Sequence, residues 1–337
     1  MQVLRFRRII RLGRNDQGVM RDSKADSVSR APEKGIGECP VHRRAEALRL
    51  LAAANEPAGM QALAEAVDGA CAAHWRGLRI SLGADGELDG AIWVQPMPGG
   101  CAALWPPTDG CRRKPGLLRE AGRWADQSGL YFTQVILTRH PDDKTRHELE
   151  QTGFRYLADL ASLAGSPNEA GLSESAASVG LEEVRWEVLR DDNHHRFATL
   201  FDAVNADTRD FPELVQSRPT HAVYESFLAR GGWKEGLWKV LSWHGRDAAL
   251  LLLAPHPAAR SMELLFMGVH PSFRGCGLGR AVTQEALAIA REHGFQLILT
   301  ADTRNRRAVE LYRTAGLETV GHAGLFVRFN QSPYDQM

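Results

Sequence analysis

The spacing of apolar residues along this chain changes period repeatedly, and each change predicts an element. Met262 to Val269 is apolar except for Glu263, the pattern of a buried strand, and His270-Pro271 ends it. A glycine-bearing stretch, Arg274-Gly275-Cys276-Gly277-Leu278-Gly279-Arg280, leads into Val282, Ala286, Ile289 and Ala290 at helical spacing, closed by Gly294. Phe295–Thr300 reads as a second buried strand, and Ala308, Leu311, Tyr312 and Ala315 form an i, i+3, i+4, i+7 stripe. Upstream, Arg43 to Ala66 has helical spacing, and Leu78–Leu82 with Gly90–Val94 alternates as a hairpin about Gly83–Gly86. Cys101–Trp105 is a short strand stopped by Pro106-Pro107. It is followed by a helix (Leu117–Asp126), a strand (Phe132–Thr138) and a helix (Asp142–Gln151). Further on, Val184–Leu189 is strand-like and Asn193–Ala206 helical with Asp192 as cap. Asp207–Leu214 breaks the pattern, Ala222–Leu228 is helical, and Trp238–Trp243 pairs with Ala248–Ala254 across Gly245-Arg246-Asp247.

The order of elements occurs twice. Val135–Thr138 parallels Leu297–Thr300, and His147–Phe154 parallels Glu310–Leu317, which sets Gly153 against Gly316 and Leu149 against Tyr312. Two domains of one fold are therefore expected. Residues 1–37 are a basic, flexible extension, 38–163 the first domain, 164–180 a Gly/Ser/Ala/Pro-rich linker, and 181–330 the second domain. Arg5, Arg7, Arg8, Arg11 and Arg14 without an acid among them would also suit a transit peptide, or a start codon upstream of the true one.

Composition narrows the class. Hydrophobic residues make 44% and charged ones 24% of 337, and 41 Lys+Arg balance 41 Asp+Glu, so no field points to nucleic acid or a membrane surface. Five scattered cysteines suggest neither a disulfide framework nor a metal set, which favours a reducing, cytoplasmic compartment.

The glycine stretch carries the chemistry. Between a strand end and a helix start, free N–H groups and the helix dipole make an anion site, and Arg274 and Arg280 add positive charge. A diphosphate fits. No Lys-Ser/Thr follows Gly279, which excludes a Walker loop, and a Gly-x-Gly-x-x-Gly register would put the third glycine at Arg280 or Val282. What remains is Arg-x-x-Gly-x-Gly, followed downstream by Asn305-Arg-Arg-Ala308-Val-Glu-Leu311-Tyr312-Arg-Thr-Ala-Gly316-Leu317. In these two motifs, in this order, the sequence resembles the GNAT superfamily of acyl-CoA-dependent N-acetyltransferases, with Leu317 where that family has phenylalanine. The resemblance is close over Glu182–Phe329 and distant over Gly37–Leu163, as in tandem proteins with a degenerate N-terminal copy.

The resemblance implies an α/β (α+β) fold of two tandem domains, each a mixed, mostly antiparallel sheet flanked by helices. It also implies direct acetyl transfer from acetyl-CoA to a small-molecule or peptidyl primary amine in a ternary complex. Gly268 and Val269 would meet the thioester through backbone N–H groups, although Gly268 is equally readable as a bulge. Gly275, Cys276, Gly277, Leu278 and Gly279, with Arg274 and Arg280, would hold the diphosphate. Asn305 would contact the cofactor or cap its helix. Tyr312 would be the acid or a core residue. Glu263 would be the base, on the argument that burial raises a carboxyl pKa, or a salt-bridged glutamate. His270, Asp302 and His194/His195 are weaker candidates for the base. Asp207, Asp210 and Glu213 would attract a cationic acceptor. Cys276 has no histidine–acid pair tied to it, which excludes a covalent intermediate. A non-catalytic acyl-CoA sensor or scaffold is the competing reading.

Overall fold

The computed structural model describes residues 35–54, 57–138, 142–165, 184–190 and 192–330. The N-terminal basic segment and nearly all of the expected linker lie outside them. The chain forms two compact units.

The first unit holds the described residues of Arg7–Val135 and Asp142–Arg155, together with the chain from Val327 onward. Its elements are β1 (Ile36–Glu38), α1 (Arg44–Ala53), α2 (Pro57–Asp68), α3 (Ala72–Trp75), β2 (Leu78–Leu82), β3 (Leu88–Met97), β4 (Cys101–Trp105), α4 (Lys114–Gln127), β5 (Phe132–Leu137) and α5 (Asp143–Gln151). Strands follow in the order β1-β2-β3-β4-β5, with β4–β5 the parallel pair. Ile36 and Gly37, expected to be flexible, are paired with Ser81 and Ile80, because Ile36 finds an apolar place at the sheet edge. Trp75 and Trp93 stack at 5.1 Å in the core, with the Arg44 guanidinium over Trp75.

The second unit contains Tyr156–Phe326. Its elements are β6 (Arg155–Gly165), β7 (Val184–Val188), α6 (His194–Asn205), α7 (Pro212–Gln216), α8 (Thr220–Leu228), β8 (Trp238–Trp243), β9 (Arg246–His256), β10 (Ser261–Val269), α9 (Leu278–Glu292), β11 (Gln296–Asp302), α10 (Arg306–Thr314) and β12 (Glu318–Phe329). Strand order is β12-β6-β11-β10-β9-β8-β7, and β10–β11 is the parallel pair. Both units thus place five successive strands side by side and make the fourth and fifth parallel. The fold is the mixed, mostly antiparallel sheet with flanking helices that the sequence implied.

The last strand of the N-terminal half belongs to the second unit, and only the end of the chain's last strand belongs to the first. β6 pairs with β11 from Leu297↔Gly165 to Asp302↔Leu160, so the expected boundary at residue 163 falls inside a strand of the second unit. The end of β12 lies in the first unit. There Asn330 donates its amide to the Tyr131 carbonyl at 3.0 Å, and Arg328 pairs with Asp126. Local order is as predicted, with small corrections. Asn193, not Asp192, is the N-cap residue of α6, and its side chain holds Val188 and Arg190 instead of capping. The β8–β9 turn is His244-Gly245, both at positive φ, so Arg246 and Asp247 are already strand. Among the described residues no helix is long and apolar enough to cross a membrane.

Candidate active site

β10 is the axis of the site. Phe266 packs against Phe201 of α6 and Phe227 of α8, while the sulfur of its neighbour Met267 takes the Thr283 hydroxyl of α9. Successive strand residues face opposite sides, so α6 and α8 cover one face and α9 the other. The pairing with β9 shifts between Leu264 and Phe266, which places the bulge at Leu265 and not at Gly268. Gly268 is glycine for a different reason: a Cβ there would meet Val204 Cγ1 at 2.1 Å.

β10 and β11 pair only from Ser261↔Gln296 to Glu263↔Ile298. Beyond that point β10 stays with β9 and β11 stays with β6, so the two parallel strands part and leave a wedge with backbone groups on its walls.

At the wedge mouth the chain turns into α9. Gly275 and Gly277 both sit at φ +84°, where a side chain would strain the backbone, and Gly277 is the N-cap residue. Gly279 is glycine because a Cβ would lie 3.2 Å from Leu311 of α10. Among the described residues, no acceptor takes the amides of Gly275, Cys276, Gly277, Leu278 or Gly279. Five free N–H groups at the start of a 15-residue helix are the donors a diphosphate needs. Arg274 is anchored beside them: Nε donates to the Val269 carbonyl at 3.2 Å, and the guanidinium pairs with Asp207. Arg280 and Cys276 are exposed, and no described side chain activates the Cys276 thiol.

Asn305 caps α10, its Oδ1 accepting from the Ala308 amide. Tyr312 on the same helix is 8% exposed, and its hydroxyl bonds to no described residue. Burial, and then the Asp210 carboxylate, hold the phenol well above its usual range, so it stays protonated at neutral pH.

Glu263 corrects the expectation placed on it. Burial does push its carboxyl up, but Arg230 and His256 Nε2 at 2.8 Å outweigh that, and the net shift is downward. It is a locked anion. His270 accepts the Ser272 amide, His194 packs against Tyr224 and Trp233, and fully buried Asp302 is bound by Arg304. The three acids proposed to attract a cation are also engaged: Asp207 by Arg274, Glu213 by Arg304 at 2.7 and 3.0 Å, and Asp210 by the Asp302 amide at 3.2 Å.

Asp210, which the sequence grouped with Asp207 and Glu213, differs from them in its surroundings. It lies on the α6–α7 segment, next to Phe211 at φ +49° with Pro212 following, a backbone state that persists only where neighbours impose it. Burial and then the Asp302 carboxylate raise its pKa to about 6, against the lowering contacts of the Asp302 amide, Asn305 and Arg304.

Comparison with known proteins agrees with this geometry. Residues 200–317 match the acetyltransferase (GNAT) family model. Mycothiol acetyltransferase of Thermobifida fusca is 42% identical over 57 residues, 17% of this chain and 18% of that protein. Peptidyl-lysine N-acetyltransferase YjaB of Escherichia coli is 29% identical over 116 residues, 34% of this chain and 69% of that one. A crystal structure of a GCN5-related N-acetyltransferase from Sphaerobacter thermophilus aligns over 90% of this chain and 99% of its own at a TM-score of 0.61 and 16% identity, a likeness of fold. Residues 200–317 carry the acetyltransferase (GNAT) family pattern. The chain spans less than a fifth of the length of the mycothiol acetyltransferase that it matches.

Proposed function

We propose that the protein transfers an acetyl group from acetyl-CoA to a primary amine by direct attack in a ternary complex, at one site formed by β10, β11, α9 and α10. The observation that carries this reading is the run of free amides from Gly275 to Gly279 at the mouth of the wedge. A diphosphate bound there would let the rest of a CoA arm lie between β10 and β11, with Arg274 and Arg280 at the rim. Backbone N–H groups of β10 around Gly268 and Val269 would stabilise the oxyanion. As the C–N bond forms and the C–S bond breaks, the thiolate takes the proton of Tyr312. Tyr312 holds that proton at neutral pH. Glu263, where the family resemblance puts the base, is a weak proton acceptor in this environment, since its ion pair stabilises the charged form.

Relatives named for a peptidyl lysine and for mycothiol support testing both peptidyl and small-molecule acceptors. Five free cysteines suit a reducing, cytoplasmic setting. The test is calorimetry with acetyl-CoA and thiol release across an amine panel. One site per chain and amine-dependent thiol release are expected. Binding without turnover on any amine would make the protein a sensor or scaffold, and no binding would remove the reading altogether.

A further inference from the structure

The α6–α7 segment is fastened across the wedge. Asp207 holds Arg274 on the α9 side, while Asp210 and Glu213 hold the end of β11 and Arg304 on the α10 side. Asp210 lies between these fastenings, with its backbone fixed by left-handed Phe211 and Pro212 and one carboxylate oxygen on the Asp302 amide. It is close enough to Tyr312 to act on the phenol electrostatically. Glu263, by contrast, sits where β10 and β11 are still paired, with Arg230 and His256 on its oxygen. A base has to reach the attacking nitrogen while the acid reaches the departing sulfur, so the two belong on either side of one thioester. Asp210, held at the end of β11, and Tyr312, on α10, both border the mouth of the wedge.

We propose that Asp210 is the general base of the acetyl transfer, an assignment that rests on the acetyltransferase reading above. The acceptor nitrogen attacks the thioester carbon, and the Asp210 carboxylate takes one N–H proton as the C–N bond forms. The C–S bond breaks with its electron pair on sulfur, and the Tyr312 hydroxyl gives its proton to the thiolate. The proton on Asp210 then passes to the Tyr312 oxygen, which resets both groups. The sum is amine plus thioester giving amide plus thiol, with no proton left over. The groups acting on Asp210 are Asp302 at the end of β11 with Arg304 and Asn305 just after it, and Asp210 acts in turn on Tyr312 of α10. Burial and the Asp302 carboxylate raise Asp210 and Arg304 partly offsets them, so Asp210 is ionised at neutral pH yet binds a proton more readily than Glu263.

The experiment is kcat/KM for the best amine across about pH 5 to 9 in wild type, Asp210→Asn, Asp210→Glu and Glu263→Gln, with acetyl-CoA affinity measured on each. Once divided by the unprotonated fraction of the amine, wild-type kcat/KM is expected to rise with pH and level off above about 6. Asp210→Asn should lose about 10² to 10⁴ in rate together with the acidic limb, at unchanged acetyl-CoA affinity. Glu263→Gln should keep the limb. A limb that survives in Asp210→Asn, or that vanishes in Glu263→Gln, overturns the proposal. Asp210→Glu guards against a folding defect: a displaced limb supports the assignment and a missing one refutes it. Wild type that binds acetyl-CoA but releases no thiol with any amine brings down the acetyltransferase reading itself, a different failure from a misplaced base.

Discussion

The same turn is built twice in this chain, once as a closed knot and once as an open cradle. α4 begins after β4 and α9 after β10, the first member of the parallel pair in each unit. Ahead of α4, the Cys111 amide donates to Thr108 and the Lys114 amide to Cys111. Lys114, at the first helical position, buries its ammonium between Asp109 at 2.7 Å and Glu148 at 3.0 Å. Ahead of α9, five amides are free, and the contact with the following helix is Gly279 against Leu311. Helix dipoles of similar length point outward in both places. The difference lies in whether the loop has already neutralised itself. An anion arriving at α4 would have to displace two carboxylates from a buried lysine, whereas at α9 it meets only unpaired donors.

The closing turns repeat in finer detail. Phe154 donates to the Leu149 carbonyl and Leu317 to the Tyr312 carbonyl, each at 3.0 Å, with Gly153 and Gly316 in left-handed conformations between them. Leu149 and Tyr312 therefore occupy one position in two copies, and only the second has a hydroxyl. The sharpest way to break the comparison is to remove it. Tyr312→Phe should cut turnover by about 10² to 10⁴ at unchanged acetyl-CoA affinity, because the proton is needed only as the thiolate leaves. If steady-state kinetics fall by less than about threefold, the tyrosine is core packing and the copies do not differ there in chemistry.

Closing the cradle comes next in size. Gly277→Val with Gly279→Val forces a β-branched residue into φ +84° and another against Leu311, and should weaken acetyl-CoA binding by about a hundredfold or more, read by calorimetry. Undiminished binding would move the diphosphate elsewhere. The smallest effect belongs to the closed copy. Lys114→Ala strands a largely buried Glu148 and should cost about 3 kcal/mol in denaturant unfolding. It should leave acetyl-CoA affinity and the count of one site per chain unchanged. A second site in that variant would show that the knot alone keeps α4 from binding an anion.

Much of the cradle was legible because it is local. Glycine spacing, the Asn305 cap and the Tyr312 register depend on residues within one or two turns of each other, and short-range geometry fixes them. The partners of Glu263 were not legible, since Arg230 and His256 reach it from 33 and 7 positions away across a helix end and a neighbouring strand. Burial alone predicted a raised carboxyl, and the unseen guanidinium reversed the sign. Asp210 was underrated for the same reason: its surroundings come from β11 and α10, about 90 residues on. The residence of β6 beside β11 was hidden too, because linear order says which strands follow one another and not which ones pair.

That last feature bears on how such a chain can be inherited. A duplicated gene usually leaves two modules that recombination can separate, fuse or lose independently. Here a break between residues 166 and 183 would deprive β11 of its neighbour, baring Leu297–Asp302 as an open edge, and would strip the first unit of Arg328 and Asn330. Bare edges invite wrong partners and insolubility. The chain ahead of residue 166 therefore cannot be discarded as spare sequence: the unit with the free amides is finished by a strand that it encodes.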